Sequence, residues 1–428
     1  MRALILGGGG RESALAWALN RSGSVQELVA APGNAGIAEF ATTLQIAVDD
    51  PATVVALAKE LRPGLVVIGP EAPLVAGVGD ALRGGGYRVF GPNAGAARIE
   101  GSKSYAKQLM DRAGIPTARG RRVDSVPDAV AFMDELGPPY VIKADGLAAG
   151  KGVVVTEDRD RAILAIEERI DTGIFGDAGR TIVVEEFLDG QELSMIAVSD
   201  GRSVVACEPA QDYKRINDND EGPNTGGMGS YSPVPACPPP LAEQIVAEII
   251  EPMVAETAAA GEPFSGALYA GLALTSKGPK VVEFNVRFGD PETQALIPRL
   301  RSDFGELCLA CASGDLSGIK LDWSPEACVS VVLASGGYPG DHETGLEIRG
   351  LDAASARPGV HVFHAGTAAD EGRVVTAGGR VLAVSALGRT FAEARSRAYD
   401  AVRVIEFNGL HARTDIALRA EIVERAQA

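Results

Sequence analysis

Basic charge, aromatic rings and cysteine are all scarce in this 428-residue chain, whose aromatic content is 5%. Lys and Arg number 40 against 57 Asp and Glu, a formal net charge of −17 at pH 7. A chain that acidic repels phosphate backbones, which excludes nucleic acid as a partner but leaves room for a local basic pocket around a small anion. The five cysteines (Cys207, Cys237, Cys308, Cys311, Cys328) are odd in number. Cys308 and Cys311 form a CxxC, but it lies in a helix-like apolar stretch with no second pair. These cysteines read as buried thiols in a reduced compartment, not as a zinc or redox site. The four histidines (His342, His361, His364, His411) fall late in the chain and make no HExxH pattern. No apolar run approaches the length of about 18 residues that a membrane span needs. Near the N-terminus, Ala3–Leu6 runs straight into glycines, too short a run for a signal peptide. The expected setting is the cytoplasm, with no membrane partner.

Glycine is what the chain has in plenty: 52 Gly and 25 Pro cluster in short blocks between apolar runs. Such blocks read as turns and phosphate loops. The length predicts roughly three domains. Over the first hundred residues, strands at Ala3–Leu6, Glu27–Ala31, Leu65–Ile68 and Tyr87–Phe90 alternate with helices. That pattern predicts a parallel sheet covered by helices on both faces. Each strand runs into a loop (7–11, 32–36, 69–74, 91–93), and these loops share the rim where open α/β sheets bind ligands. After the helix Ser102–Ala113 comes a small α+β unit, with strands Tyr140–Lys143, Gly152–Val155 and Thr181–Phe187 and the helix Arg159–Ile170. A hairpin pairs Leu193–Val198 with Val204–Cys207. Gln211–Ser232 reads as one polar loop of about twenty residues, a length that is usually functional or disordered. Leu241–Ala260 predicts one helix, Gly266–Thr275 and Lys280–Phe288 two strands, and Phe304–Ser313 another helix. Beyond residue 323 the chain is strand-rich, with one clear helix at Phe391–Val404.

Four stretches carry chemistry. Gly7–Arg11 places glycines between a strand and a helix, where backbone N–H groups can cradle a phosphate. It departs from a dinucleotide fingerprint, because Glu12 or Ser13 stands where the third glycine belongs and no acidic residue ends the second strand. The structural alternative is a tight turn without a ligand. In Val141–Gly152 a strand delivers Lys143, and a glycine-rich tip with Gly150, Lys151 and Gly152 follows. No GxxxxGK[ST] is present, so this is a lysine-plus-flap phosphate site and not a P-loop. Its alternative is a surface hairpin with a snorkelling, half-exposed Lys143. Val281–Phe288 alternates with period two: Val281, Glu283, Asn285 and Arg287 on one face, Val282, Phe284, Val286 and Phe288 on the other. Glu283 and Asn285 suit a hard cation that shares oxygens with phosphates, and Arg287 would face the charge beside it. A solvated sheet face is the plain alternative. Glu185–Leu188 with Glu192, on a strand leaving the lid, could line an adenine edge and a ribose.

Together these stretches, with Gly69–Leu74, Gly222–Gly229 and Arg287–Thr293, resemble the ATP-grasp superfamily and, within it, the phosphoribosylamine–glycine ligases, from Leu4 to about Ala420. Two positions depart from that family: Ser13 stands where it commonly has His, and Ala417 where it usually has Gly. The resemblance implies a multidomain α/β and α+β fold: an N-terminal parallel-sheet domain (1–101), an ATP-grasp core (102–121 with 188–322), an inserted lid (122–187) and a C-terminal β-rich domain (323–428). It implies ATP and Mg²⁺ or Mn²⁺, glycine and phosphoribosylamine as small-molecule partners, and a monomer or weak homodimer. Lys103, Lys143, Gly150, Lys151 and Gly152 would meet ATP phosphates. Glu185, Glu186, Phe187 and Leu188 would hold adenine, and Glu192 ribose. Glu283 and Asn285 would hold the metal, with Arg287, Asp290 and Lys143 catalytic. Substrate contacts would fall to Gly8, Gly9, Gly10, Arg11, Glu71, Asn93, Asp212, Thr225, Gly226, Gly227, Met228, Asp290, Pro291 and Glu292. Two other readings are another ATP-grasp carboxylate–amine ligase or carboxylase, and a catalytically dead nucleotide-binding regulator. The presence of Lys143, Glu283 and Asn285 argues against the second.

Overall fold

Period-two alternation sorts the first strands between two cores. In this computed structural model, which describes residues 1–146, 152–172 and 181–427, Leu4 and Leu6 pack with the helix Pro51–Leu61 on one face. Ala3 and Ile5 pack against Leu15 and Leu19 of the helix Gly10–Arg21 on the other. The strands β1 (Arg2–Gly7), β2 (Glu27–Pro32), β3 (Thr42–Thr43), β4 (Leu65–Ile68) and β5 (Val89–Phe90) form one parallel sheet, in the order β3-β2-β1-β4-β5. β3 adds a fifth strand that the sequence did not signal, being two threonines with no apolar run.

The lid has a core of its own. Its strands β6 (Gly120–Val123), β7 (Tyr140–Ala144), β8 (Val153–Thr156) and β9 (Ile182–Glu185) pair in the order β6-β9-β7-β8. Ile142 and Val184 pack there against Phe132, Met133 and Ile166 of its two helices.

The central sheet is antiparallel: β10 (Gln191–Asp200), β11 (Val204–Ala206), β16 (Ser265–Thr275) and β17 (Gly278–Asn285), in the order β11-β10-β16-β17. The run expected as one helix at 241–260 is two, Pro239–Ile245 and Glu251–Ala259, joined by a π turn at Val246–Ile250. Pro252 has no N–H to give to the turn before it, so the ladder widens there.

The expected loop 211–232 is largely strand. It contains β12 (Gln211–Asp212), the hairpin β13 (Arg215–Asn217) with β14 (Glu221–Asn224), and β15 (Gly229–Ser232). β12 and β15 join β18 (Ala327–Ala334), β19 (Val360–His364) and β22 (Arg380–Gly388) in one sheet, ordered β12-β15-β18-β22-β19. A short hairpin, β20 (Thr367–Asp370) with β21 (Arg373–Thr376), hangs from it. Tyr231 on β15 meets Phe391 edge-on at 5.5 Å, at the start of the helix Phe391–Val402. Two further helices, Leu351–Ser355 and Leu418–Gln427, accompany the one expected. Among the described residues, no helix is long and apolar enough to cross a membrane. The five cysteines are buried and free; burial pushes the Cys311 thiol up to about 12.

Candidate active site

β17 is the spine of the site, and a bulge sets its geometry. The register with β16 slips between Gly271 and Leu272, which face Glu283 and Val281, leaving Val282 as an extra residue. Val281 therefore belongs to the core with Phe284 and Val286, not to the face of Glu283 as simple alternation predicts. The free carbonyl of Val282 accepts from Lys143 Nζ at 2.9 Å.

Lys143 is not a half-exposed side chain; it is 5% exposed. Its ammonium lies 2.6 Å from Glu185 Oε2, and Lys107 Nζ lies 2.9 Å from Glu185 Oε1. Burial alone would raise the Glu185 carboxyl, but Lys143 and Lys107 outweigh it and hold the group below its usual range. The Glu185 side chain is thus committed to lysines. Lys103 donates to Gly146 O at 3.2 Å, and burial, with Lys143 nearby, lowers its pKa. Asp145 fastens this corner by accepting from Ser102 Oγ at 3.0 Å and Ser104 N at 3.1 Å, at the start of the helix Lys103–Ala113. Gly150 and Lys151 lie outside the described residues; Gly152 O accepts from Ala144 N at 2.9 Å. The Glu186 carboxylate takes Lys280 at 3.0 Å, and Phe187 is exposed.

Burial would also raise the Glu283 carboxyl, but Lys214, Lys143, Lys103 and Arg287 hold it below the ordinary value. Among the described residues, that carboxylate makes no hydrogen bond or ion pair within 4 Å. Asn285 Oδ1 accepts from Arg287 Nη2 at 3.2 Å. A deprotonated carboxylate without a direct partner, two residues from an amide oxygen, fits a hard divalent cation that takes its other oxygens from phosphates. Among the described residues no cluster of three or more His, Cys, Asp or Glu could hold a metal without such help.

Arg287 is clamped by Glu100 at 2.9 Å and Glu71 at 3.3 Å, and these acids raise its pKa against burial. Glu100 also accepts from Val286 N at 2.8 Å. No sequence signal pointed to Glu100, a single acid in the short helix Ala94–Gly101. Glu71 reaches Arg11 Nη2 at 3.8 Å as well, which ties the N-terminal loops to β17. Gly9 N–H is answered from within by Glu12 Oε2 at 2.7 Å, and Arg11 Nε lies 2.5 Å from Glu12 Oε1. Glu12 fills the place of the missing fingerprint glycine. Gly8 packs against the Gly33 carbonyl so closely that any Cβ would collide with it.

Asp290 does not cap the helix after it; the helix Glu292–Leu296 has no side-chain cap. Its carboxylate instead accepts from Arg11 N at 3.3 Å and Gln294 Nε2 at 2.7 Å, and pairs with Arg380 at 3.4 Å. Burial would raise its pKa, but Arg380 and Arg11 hold it low. Arg380, from β22 of the C-terminal sheet, also donates to Asp290 O at 2.8 Å, Gly227 O at 3.3 Å and Gly226 O. Nothing in its local sequence marked it. Gly227, at φ +111°, lies flush against the Pro291 ring, where a side chain would clash. Thr225 spends its hydroxyl inside the loop, donating to Lys214 O at 2.8 Å and accepting from Gly227 N at 3.0 Å.

Glu292 accepts from Ser194 Oγ at 3.0 Å and Tyr269 OH at 2.9 Å. Burial pushes Asp212 up to about 8 against the pull of Lys214, and Glu292, Glu192 and Glu283 add to the rise. Lys214 holds Glu192 at 2.7 Å. Two expected substrate residues are turned elsewhere. Met228 is fully buried with Ile216 and Ala334, and Asn93 caps the helix Ala94–Gly101 and donates to Glu262 at 2.9 Å. Both sequence departures have local accounts. Ser13 Oγ accepts from His364 N at 3.2 Å. Ala417 sits at φ +59°, the left-handed region that glycine enters freely and alanine at about 1 kcal/mol.

A lysine bed shared between a hairpin lid and a core helix, facing an acidic strand with a metal-suited pair, defines an ATP-grasp protein. Three family models match in succession: the N domain of phosphoribosylglycinamide synthetase over residues 1–100, its ATP-grasp (A) domain over 101–293 and its C domain over 328–419. The chain belongs to the phosphoribosylglycinamide synthetase family. It is 51% identical over 423 residues to a phosphoribosylamine–glycine ligase of Streptomyces coelicolor, covering 98% of this chain and 99% of that one. It is 48% identical to that of Agrobacterium fabrum, with both chains fully covered. The crystal structure of the Thermotoga maritima phosphoribosylamine–glycine ligase superposes with a TM-score of 0.85 at 35% identity, covering 97% of this chain and 100% of that one. A biotin carboxylase domain of Hydrogenobacter thermophilus, at 16% identity, covers 96% of this chain and 91% of that one with a TM-score of 0.74, and shares the fold alone.

Proposed function

We propose that this chain joins glycine to 5-phosphoribosylamine at the expense of ATP, giving glycinamide ribonucleotide, ADP and phosphate through a glycyl phosphate. The observation that carries this reading is the convergence on β17. The charges of Lys143 and Lys103 help to hold the Glu283 carboxyl low, and Glu71 of the N-terminal domain bridges Arg287 to Arg11.

A carboxylate is a poor electrophile, so one glycine oxygen first takes the γ-phosphoryl group and ADP leaves. The sugar amine then attacks the acyl carbon, phosphate departs with the C–O bond pair, and the amine loses a proton. Lys103 and Lys143 hold the ATP phosphates, and the assignment of Gly150, Lys151 and Gly152 to them rests on the sequence alone. When Lys143 turns to the nucleotide, Lys107 stays behind to neutralise Glu185. Adenine rests on the backbone of Glu185–Leu188, and ribose on Glu192. Glu283 and Asn285 hold Mg²⁺ or Mn²⁺, which when bound offsets phosphate charge. Arg287 meets the transferring phosphoryl group. Asp290 takes the glycine ammonium, with Glu292 and the 225–227 turn behind it. Gly8, Gly9, Gly10, Arg11 and Glu71 hold the sugar phosphate. A closed lid keeps water from the acyl phosphate.

The test is ADP release by the full chain with each substrate withheld in turn. Sustained ADP release should require glycine and phosphoribosylamine together, and glycine alone should support no more than a single turnover. Release indifferent to glycine, or supported equally by bicarbonate, would overturn the reading.

A further inference from the structure

Among the described residues, one buried side-chain acceptor has no hydrogen-bond partner: Gln294 Oε1. Gln294 is 1% exposed and stands beside Asp290, in the loop that follows β17. Its amide cannot be turned over to hide the orphan. The atom 2.7 Å from Asp290 Oδ1 faces a carboxylate that only accepts, so it must be the NH₂ group, and the oxygen is left over. An unanswered buried carbonyl is costly, and native proteins leave few of them.

The surroundings say what is missing. A Cβ on Gly10 would lie 2.6 Å from Gln294 Nε2 and 3.6 Å from Asp290 Oδ1, so the wall opposite this amide is bare backbone. The Asp290 charge is already shared with Arg380 and the Arg11 N–H. One carboxylate so engaged cannot satisfy the three N–H donors of an ammonium, and a neutral acceptor fixed next to it can take another.

We propose that Gln294 is a further substrate-binding residue, its Oε1 accepting a hydrogen bond from the ammonium group of the amino-acid substrate while its NH₂ fixes Asp290. This rests on the reading of Asp290 as the ammonium partner. The acceptor favours a primary ammonium with donors to spare over an N-alkylated amino acid.

The experiment is steady-state kinetics of the full chain with glycine, phosphoribosylamine and ATP varied separately, for wild type, Gln294→Met, Asp290→Asn and the double variant. Thermal melts confirm folding, and Gln294→Asn replaces the Met variant if that one does not fold. Loss of a hydrogen bond to a charged group should raise the glycine KM about 10- to 100-fold. The other two KM values should stay within about twofold on the same scale. If Gln294 touches the substrate, the double variant should need at least about fivefold more glycine than Asp290→Asn alone. A double variant no worse than Asp290→Asn would make Gln294 a mere brace for Asp290 and overturn the proposal. A rise confined to the phosphoribosylamine KM would place the donor on the sugar, and unchanged KM values would leave the oxygen to a buried water; either overturns it too. A wild type that needs no glycine would instead refute the parent reading, a result plainly distinct from these.

Discussion

Two lysines and one glutamate carry the charge balance of the nucleotide bed. Because Lys143 is buried and bonded to Glu185 and Val282, Lys143→Met removes more than a phosphate contact. It leaves Glu185 with Lys107 alone, so we expect a stability loss of about 2 kcal/mol together with weakened ATP binding. Denaturant melts and calorimetric ATP titration measure the two effects; an unchanged ATP affinity would remove Lys143 from the site. Glu283→Gln keeps the shape but removes the anion from the metal pair. Turnover should collapse and the divalent-metal requirement should rise, since phosphate neutralisation is worth several kcal/mol in the transition state. Normal turnover at low metal concentration would show that Glu283 is no ligand. These residues were legible in the sequence because their chemistry is local: a lysine on a strand, or an acid and an amide two apart. Glu100 and Arg380 were not legible, because each acts on a residue far along the chain. Gln294 stands near Asp290 in sequence, but an amide in a short buried helix carries no signal of its own.

At the scale of elements, strand pattern gave most of the fold and lost it where a strand carried no apolar signal. β17 alternated in sequence, yet the bulge moved Val281 to the core. The 211–232 stretch hides four strands behind Gly, Asn and Asp, because β12 and β15 are held by their neighbours and not by a run of their own. One consequence can be measured. Arg380 reaches from β22 to hold Gly226, Gly227 and Asp290 together. Arg380→Ala should therefore free the turn and let the Asp290 pKa climb, because the strongest charge holding it down is gone. The glycine KM should rise tenfold or more, about 1.4 kcal/mol, with ATP affinity kept. Equal changes in both would mean general loosening and would count against a loop-specific role.

Across the whole molecule, the seam between the N-terminal and C-terminal domains is acid-sensitive. His364 donates its N–H to Ser13 and lends its carbonyl to Asn34 at 2.8 Å, and burial pushes its imidazole down to about 4. His361, whose ring lies tilted against Trp17 at 4.7 Å, is lowered to about 4 as well, by burial and by Arg21. Below pH 6.5 the unfolded chain takes up a proton that folded His364 refuses. Stability is therefore full above that pH and falls by about 1.4 kcal/mol per pH unit for this group, down to about pH 4. Melting temperature against pH should show the slope, and His364→Asn should flatten it; an identical slope in the variant would mean that other groups set the acid limit. The antiparallel sheet that joins β15 to β18 has a different kind of consequence, one of timing. During synthesis β15 emerges about a hundred residues before its neighbour β18 is complete, at a rate of roughly 5–20 residues per second. For those seconds Gly229–Ser232 is an unclaimed edge, and the turn at 225–227 has nothing from β22 to rest on. The loop at Asp290 is braced only by the last strand to arrive, β22, which carries Arg380. A chain that stops short of β22 lacks Arg380, and with it the contacts that join Gly226, Gly227 and Asp290.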